Sequence, residues 1–327
     1  MKQTLAMIML ALLVGVGEIS AQQTYEFSID PVVGMRFGDT RFEINFNYLL
    51  PDSSVGSGGS ELVFPLDVTQ TGVRLAFKAV QGGHRMWTAD LRLLFALNNP
   101  GSKMTDKDWD KYQNIRIEWS STESRVDGSL SDIEFEATRL LVSGRRAELA
   151  VLVGGSYQSV KQKMTDLSGW QLGSDPDGNM VIYLFDYDIL AGTYEIRYIR
   201  PQIGLVPRLL FGSFSIDLKA TVSPLLHVKD IDDHVLRYFQ VRTDGKGFGY
   251  SGRLALQYEP PATGKSRFFG RLSGEISRAK VNVAGYREYY ATVIEDEYEI
   301  KAGTRYAEEH TVSSTQYGVH LVLGVNF

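Results

Sequence analysis

Two short acidic segments, far apart in the chain, carry residue types that can activate a water molecule. Asp106 and Asp108 precede Trp109 in the first segment, and Asp232 lies two residues before His234 in the second. A carboxylate that accepts a hydrogen bond from one imidazole nitrogen fixes the tautomer and leaves the other nitrogen as a general base near neutral pH. Two neighbouring carboxylates can hold a water and share a proton, which raises the pKa of one of them. The predicted chemistry uses neither a metal nor a protein nucleophile, so no cofactor is expected.

The two patterns differ in how specific they are. Asp-x-Asp recurs at residues 106/108, 108/110, 175/177, 186/188 and 230/232, so most of these acids are expected in solvated loops. Asp-x-His occurs once, at Asp232 and His234, and its nearest rival is Glu-Glu-His at residues 308–310. The sequence contains no His-Glu-x-x-His zinc motif and no Gly-x-Ser-x-Gly nucleophile segment.

A β-barrel is the scaffold that the hydrophobic pattern predicts. Apolar residues at Tyr317, Val319, Leu321 and Leu323 alternate with small or polar ones, and the strand ends at Phe327. A closing strand with a lipid-facing aromatic residue at its end is typical of outer-membrane barrels. Charges on the inner phase of other long strands indicate a polar lumen. We therefore predict an all-β fold, a transmembrane antiparallel β-barrel of about ten strands that extends above the outer membrane.

The predicted strands and connections place the acidic segments. The strands are expected at residues 34–50, 60–80, 85–97, 131–143, 147–165, 192–211, 214–230, 236–258, 267–283 and 312–327. Short turns at residues 81–84 and 144–146 are predicted to be periplasmic, whereas the long polar stretches 98–131, 166–191 and 284–311 are predicted to be extracellular loops. Both acidic segments then lie at the extracellular side, with the site facing the cell exterior.

Composition restricts the class of protein further. Residues 1–21 have the basic start and short apolar run of a secretory signal peptide, which leaves residues 22–327 as one barrel domain. The net charge of −5 argues against nonspecific nucleic-acid binding, and the absence of cysteine excludes thiol chemistry. A bacterial outer-membrane location is expected.

The two acidic segments resemble those of a known family. Asp106 to Trp109 resembles the Asp-x-Asp-Trp segment in the second extracellular loop of the omptins, a family of ten-stranded outer-membrane endopeptidases. Residues 230–234 resemble the family's Asp-x-Asp-x-His segment in the fourth loop. The resemblance implies that Asp232 and His234 form a catalytic dyad and that Asp106 and the neighbouring Asp108 position the water.

The resemblance also implies a substrate preference. Omptins typically cut between basic residues and bind the Arg or Lys side chain with acidic groups, and Asp230 matches one such acid. The position of a second acid, on the first strand, falls on Phe42, with Glu43 next to it. A bulge near Gly38 would turn Glu43 inward as the second substrate-binding acid. Otherwise Glu43 is expected to be an ordinary strand charge in the lumen.

The strand that leads to Asp232 has a register problem. Ile216, Leu218, Val222, Leu226 and Val228 share one phase and are predicted to face lipid. Strict alternation would place the even-numbered residues of the 230–234 segment on the same outer face. The proposed chemistry therefore requires a bulge or a loss of regular pairing before this segment.

A second group of residues indicates contact with lipid. Lys161 and Arg197 are predicted on the outer phase of neighbouring strands near their extracellular ends, where phosphates would compensate their charge. Omptins bind lipopolysaccharide and need it for activity, and their motif resembles Tyr157, Lys161 and Arg197. An acidic member of that motif is Ser159 here, and a further family lysine maps loosely near Lys246. Simple snorkelling cations are the alternative.

Three functions remain open from the sequence. The leading hypothesis is an omptin-like endopeptidase that cuts near basic residues, acts as a monomer and has lipopolysaccharide and peptides as partners. The alternatives are a non-catalytic adhesin or binding barrel on the same scaffold, motivated by the departures at Phe42 and Ser159, and a passive pore. Ten strands leave an interior that side chains largely fill, which disfavours the pore.

Overall fold

The computed structural model describes residues 24–49, 55–112, 115–260, 267–295 and 298–327, so the predicted signal peptide lies outside the described residues. Fifteen strands and one 3-10 turn occur in these ranges. The strands are β1 (Thr24–Leu49), β2 (Val55–Pro65), β3 (Val68–Gln81), β4 (His84–Ala96), β5 (Met104–Tyr112), β6 (Ile115–Ser143), β7 (Ala147–Ser174), β8 (Met180–Tyr187), β9 (Gly192–Phe211), β10 (Phe214–His234), β11 (Phe239–Tyr258), β12 (Arg267–Tyr289), β13 (Val293–Glu295), β14 (Tyr298–Ile300) and β15 (Arg305–Asn326). The described part of the chain contains no helix that is long and apolar enough to cross a membrane.

Ten of these strands close into a ring, which confirms the predicted barrel. The ring runs through β1, β3, β4, β6, β7, β9, β10, β11, β12 and β15 and returns to β1, with antiparallel pairing throughout. The backbone groups of Phe27 and Phe327 exchange hydrogen bonds of 3.0 and 3.3 Å at the closure of the ring. Because a closed ring has no free edge, every ring strand finds two partners for its backbone polar groups.

The outer face of the ring is apolar, as the alternation predicts. On β15, Val319, Leu321 and Leu323 are 40–58% exposed, whereas His320 and Asn326 on the inner phase are at most 3% exposed. Apolar side chains that face outward at this level suit a hydrocarbon environment and would be unfavourable in water.

Paired charges fill the lumen behind this apolar face. Arg253 lies 2.9 Å from Glu275, Arg92 lies 2.6 Å from Glu134, and the carboxylates alternate with further cations around the ring. Within each pair, the partner of opposite sign offsets part of the free energy of removing a charge from water.

An apolar cluster lies in the upper lumen, above the paired charges. It includes Phe42, Phe64, Tyr194 and Leu226, each at most 1% exposed, and it draws side chains from strands on all sides of the ring. The side chains of these residues close the barrel below the rim, so the rim has an apolar floor.

The wall above the ring is built from strands rather than loops. β2 and β5 pair with each other and fill the space between the upper parts of β1 and β6. The predicted strand 60–80 is thus broken at residues 66–67, and the predicted loop 98–131 contains β5 and half of β6. The stretches 166–191 and 284–311 likewise contain the ends of β7 and β12, the start of β15 and strands β8, β13 and β14. Strands outside the bilayer lack a lipid-facing apolar phase, so their polar composition led to the prediction of loops.

A bulge in β10 changes the phase of the strand. The pairing of β10 with β11 shifts register between Ser223 and Leu226, around Pro224, which has no N–H to donate to a ladder. Beyond the shift, the even-numbered residues face inward, and Asp230 and Asp232 are 2% and 1% exposed. The phase change that the proposed chemistry required is therefore present.

The same bulge corrects one prediction. Leu226 and Val228 do not face lipid, because both are fully buried in the apolar cluster of the upper lumen. The prediction holds for Leu218 and Val222, which precede the shift and are exposed.

The first strand shows no corresponding change of phase. Pairing of β1 with β15 runs without a register shift through Gly38, and Thr40 and Phe42 both face inward. Glu43 therefore lies on the outer phase, where its Oε1 accepts a hydrogen bond of 3.0 Å from the side chain of Asn45. The prediction of a bulge that turns Glu43 into the lumen was therefore wrong, and Phe42 occupies the inward position.

Candidate active site

Asp232 and His234 form a close couple at the upper end of β10. The Nε2 atom of His234 lies 2.8 Å from Oδ2 of Asp232, at ion-pair distance, although their alignment is not that of a hydrogen bond. Asp232 is buried, whereas the imidazole of His234 is 22% exposed and packs against the ring of Phe239. The chain turns directly after His234, so the imidazole sits at the boundary between the buried wall and the open rim.

Asp106 and Asp108 lie on strand β5, not in a loop, and both belong to its inward phase. Asp108 is 8% exposed, and Asp106 is half-buried with a hydrogen bond of 3.3 Å from the hydroxyl of Ser60 on β2. The next residue, Trp109, is buried under the guanidinium of Arg116, which lies 3.6 Å from the indole centroid. Pairing of β5 on both sides fixes the two carboxylates more firmly than a loop would.

The electrostatics of Asp106 connect the two acidic segments. Burial, followed by the charge of Asp108, raises the pKa of the Asp106 carboxyl to about 6. His234 and Arg237 act in the opposite direction, and Asp232 adds to the rise. The Asp-x-Asp and Asp-x-His segments, 124 positions apart at their nearest catalytic residues (232 minus 108), thus come within electrostatic range of each other at one rim.

Sequence reasoning missed Tyr194, which lies opposite Asp232 on the neighbouring strand β9. Its ring stacks on Phe64 with centroids 3.8 Å apart, and its hydroxyl has no hydrogen-bond partner among the described residues. Burial and the nearby carboxylates of Asp230 and Asp232 raise its pKa well above the usual value, so the phenol keeps its proton. An isolated tyrosine in a strand carries no motif, so only the cross-strand register could have identified it.

The two predicted substrate acids have different fates. Asp230 points inward two residues below Asp232, but both of its oxygens have partners: the hydroxyl of Thr243 donates to Oδ1, and Nε2 of His310 lies 3.2 Å from Oδ2. Glu43 lies on the outer face of β1, away from Asp230. The structure therefore does not bring Asp230 and Glu43 into one pocket.

Tyr157, Lys161 and Arg197 lie together on the outer phase of β7 and β9, as predicted. Lys161 pairs across the strands with Glu195, and Arg197 donates a hydrogen bond of 2.6 Å from Nε to the same carboxylate. The cations remain 60% and 48% exposed. Glu195 thus places an acidic group of β9 beside these two cations, whereas the acidic position that the family resemblance predicts is Ser159.

Metal binding has no candidate cluster in the part of the chain that the structure describes, because no three His, Asp or Glu side chains converge as a ligand set there.

A closed ten-stranded barrel with an apolar outer belt and a rim of paired carboxylates and histidine defines a β-barrel membrane protein with hydrolase-like residues. The sequence model of the omptin family matches residues 70–312, a range that includes both acidic segments. The chain belongs to the omptin family, and family and fold together make it a bacterial outer-membrane protein.

One solved structure supports this fold. The crystal structure of the outer membrane protease OmpT from Escherichia coli is similar, with a TM-score of 0.66 and 14% identity, over 92% of this chain and 96% of that chain. A FadL homologue of Pseudomonas aeruginosa overlaps 94% of this chain and 90% of its own at 9% identity, but its TM-score is only 0.21. No curated protein sequence matches.

Proposed function

We propose that this omptin is an outer-membrane endopeptidase whose site faces the cell exterior. Family membership supports a peptidase with protein or peptide substrates. The observation that carries the proposal is the convergence of two inward-facing groups at one rim: the Asp232–His234 couple of β10 and the Asp106–Asp108 pair of β5.

In the proposed reaction, a water molecule lies between the imidazole of His234 and the β5 carboxylates. His234 takes a proton from this water while its oxygen attacks the scissile carbonyl carbon, which forms a tetrahedral intermediate. The C–N bond then breaks, and His234 returns the proton to the leaving amine. The products are a carboxylic acid and an amine, and transfer of the acid proton gives a carboxylate and an ammonium group, so atoms and protons balance.

The remaining residues would support that step. Asp232 orients His234 and stabilises its protonated form, and its ion-pair contact would tighten into a hydrogen bond once substrate is bound. Asp106 and Asp108 hold the water, and the raised pKa of Asp106 allows the pair to share one proton. The unpartnered hydroxyl of Tyr194 lies next to Asp232 in register and is a donor available to this site.

The direct test is cleavage of a peptide library by the purified protein, folded in lipopolysaccharide. His234→Asn and Asp106→Asn should each reduce kcat/KM by about 10²- to 10⁴-fold, the range for a general base or a group that positions the water. Asp186→Asn is a matched control, because Asp186 is an exposed acid on β8 that belongs to another Asp-x-Asp pair, 186/188. Undiminished cleavage by both site variants would rule out the mechanism.

We do not extend the family's preference for basic residues to this chain. Glu43 lies outside the lumen, and Asp230 already has two partners inside the protein. The chemistry of the bond cleavage does not depend on either residue.

Lipopolysaccharide is proposed as an activating partner of a monomeric barrel, with no other cofactor. The exposed cations Lys161 and Arg197 flank Glu195 on the outer face, below the rim residues of β9 and β10. Lipid phosphates would form charge-assisted hydrogen bonds with them. Lys246, the loosely matched family lysine, is also exposed, on β11.

A non-catalytic binding barrel is the second candidate, favoured by Phe42 in place of an acid and by the imperfect alignment of His234 with Asp232. If the intact protein with lipopolysaccharide cuts no member of a broad peptide library, this alternative replaces the peptidase. A pore is disfavoured by the paired charges and the apolar cluster that occupy the lumen. Planar-bilayer conductance measures that function directly.

A further inference from the structure

The inward-facing acid below the dyad, Asp230, already has hydrogen-bond partners inside the protein. Asp230 lies two residues below Asp232 on the same inward face of β10, where a cationic side chain that entered the cleft would find a carboxylate. Its Oδ1 accepts a hydrogen bond from the hydroxyl of Thr243 on β11, and its Oδ2 faces Nε2 of His310 at 3.2 Å. The Asp230 side chain is 1% exposed, so neither oxygen is open to solvent.

A second residue holds the internal partner in place. The imidazole of His310 packs on the ring of Phe42, with centroids 3.6 Å apart and planes inclined by 30°. The His310 side chain is fully buried, and Phe42 is 1% exposed. Phe42 comes from β1, His310 from β15 and Asp230 from β10, so the three side chains form one layer across the upper lumen below the dyad.

This layer cannot accept a substrate lysine or arginine as it stands. Unless it displaced His310 from Asp230 and moved Phe42, a substrate cation would meet a carboxylate whose two oxygens are buried and already have partners. The charge would then be buried without full compensation, which is unfavourable in an apolar cluster. An uncharged side chain that packs on the aromatic surface avoids this free-energy cost.

We propose that His310 and Phe42 determine the specificity of the site: His310 takes the place of a substrate cation at Asp230, so the enzyme selects uncharged side chains beside the bond it cleaves. This inference rests on the proposed peptidase function for its substrate but not for its binding test. Asp230 is then a structural partner of His310, not a substrate contact.

Two measurements test the inference. The first is the cleavage profile of wild type, folded in lipopolysaccharide, on peptides that vary only at the residues flanking the scissile bond. Peptides with Lys or Arg there should be cut at least about tenfold more slowly than peptides with neutral residues. His310→Ala, and Phe42→Ala with His310→Ala, should raise the relative rate for basic residues by about tenfold or more.

The second measurement needs no turnover. It is the binding of p-aminobenzamidine, an aromatic amidinium, followed by its fluorescence. Wild type should show no saturable binding, His310→Ala should bind the probe, and Asp230→Asn added to His310→Ala should abolish the binding. His320→Ala is the matched control, because His320 is a buried, inward-facing histidine of the same strand far below the rim.

The outcomes separate the inference from the proposed function. If wild type cuts preferentially beside Lys or Arg, or binds the amidinium in an Asp230-dependent manner, the inference is overturned. If no peptide is cut while the amidinium binds only to His310→Ala, the inference that His310 blocks Asp230 is supported and the proposed peptidase function fails. Should the His310 variants not fold, the wild-type profile and the wild-type probe titration still decide the question.

Discussion

In the lumen, Arg253 lies between Glu275 and Glu134, and every carboxylate of that layer faces a guanidinium or an ammonium group. At the rim, Asp106 and Asp108 stand side by side, and neither has a cation at ion-pair distance among the described residues. Both regions hold buried acids on inward-facing strand positions. In the lumen the acids are neutralised and stabilise the barrel, whereas at the rim they remain available, at a cost in stability, for a ligand.

The comparison extends to hydrogen-bonding groups. The rim leaves the hydroxyl of Tyr194 and Oδ2 of Asp232 without hydrogen-bond partners in the described part of the chain. Buried polar groups without partners are unfavourable unless something else satisfies them. A bound water or a substrate amide at the rim would do so, which agrees with the proposed chemistry.

The largest expected effect separates activity from stability at the rim. His234→Asn should lower kcat/KM by about 10²- to 10⁴-fold while the unfolding transition in urea stays within about 1 kcal/mol of wild type, because the imidazole is partly exposed. Peptide cleavage and the urea midpoint measure the two quantities. A loss of stability that matches the loss of activity would show that His234 is structural.

The lumen should respond in the opposite way. Arg253→Met removes one of the two guanidinium groups that Glu134 and Glu275 share, the other being that of Arg92. The buried carboxylates are then one cation short, which should lower the free energy of unfolding by about 3–5 kcal/mol. Activity per folded molecule should stay near the wild-type value, because the site lies above this layer. Urea unfolding in micelles, with kcat normalised to the folded fraction, checks both parts; unchanged stability would contradict the account of the lumen.

Asp106→Asn should stabilise the protein while it removes activity. Burial and the neighbouring charge of Asp108 raise the pKa of Asp106 from its ordinary value of 3.8 to about 6, so the ionised carboxylate is disfavoured in the folded state. Below about pH 4 the carboxyl is protonated in both the folded and the unfolded protein, so it does not lower the free energy of unfolding. That stability is lost as the pH rises through about 6, because the carboxyl then ionises in the folded protein at a cost. At pH 8, Asp106→Asn should therefore gain about 1–2 kcal/mol after allowance for solvent screening, and it should gain little at pH 4.

The free energies of unfolding of Asp106→Asn and of wild type, measured at pH 4 and at pH 8, test this prediction. Equal stability of the two proteins at pH 8 would show that the rim acids carry no strain. A gain at pH 4 that is as large as at pH 8 would assign the effect to packing rather than to charge.

The smallest effect is expected on the outer face. Lys161→Ala should weaken activation by lipopolysaccharide a few-fold, because an exposed ion pair contributes less than about 1 kcal/mol. The concentration of lipopolysaccharide at half-maximal activity is the readout. Lys103→Ala is the control, since Lys103 forms a comparably exposed pair with Glu123 away from this face. Equal shifts in both variants would remove Lys161 from the lipid site.

Much of the barrel follows from period-two alternation, which the bilayer imposes on every ring strand. Val319, Leu321 and Leu323 had to face outward, and the tight turns at residues 81–84 and 144–146 are where the pattern broke. Strands β5 and β8 were not predicted, because water on the outer face of the wall removes that alternation.

The site was only partly predictable, because its arrangement depends on register between distant strands. A bulge or a loss of regular pairing before residues 230–234 was inferred as a necessity, but its position was not predicted. Because the shift occurs at Pro224, Leu226 and Val228 turn inward, which the sequence pattern did not indicate. The pairing of His310 with Asp230, 80 positions apart, has no local signal at all. Residue types at the rim could be predicted, whereas their partners could not.

The central claim is that Asp106 and His234 act on the same water, and a double-mutant cycle on kcat/KM tests it most directly. Asp106→Asn, His234→Asn and the double variant are compared with wild type on one good peptide substrate. If both groups act on one water, the double variant should be little worse than the more damaged single variant. Losses that multiply in the double variant would contradict the account, because they would show that the two residues act independently.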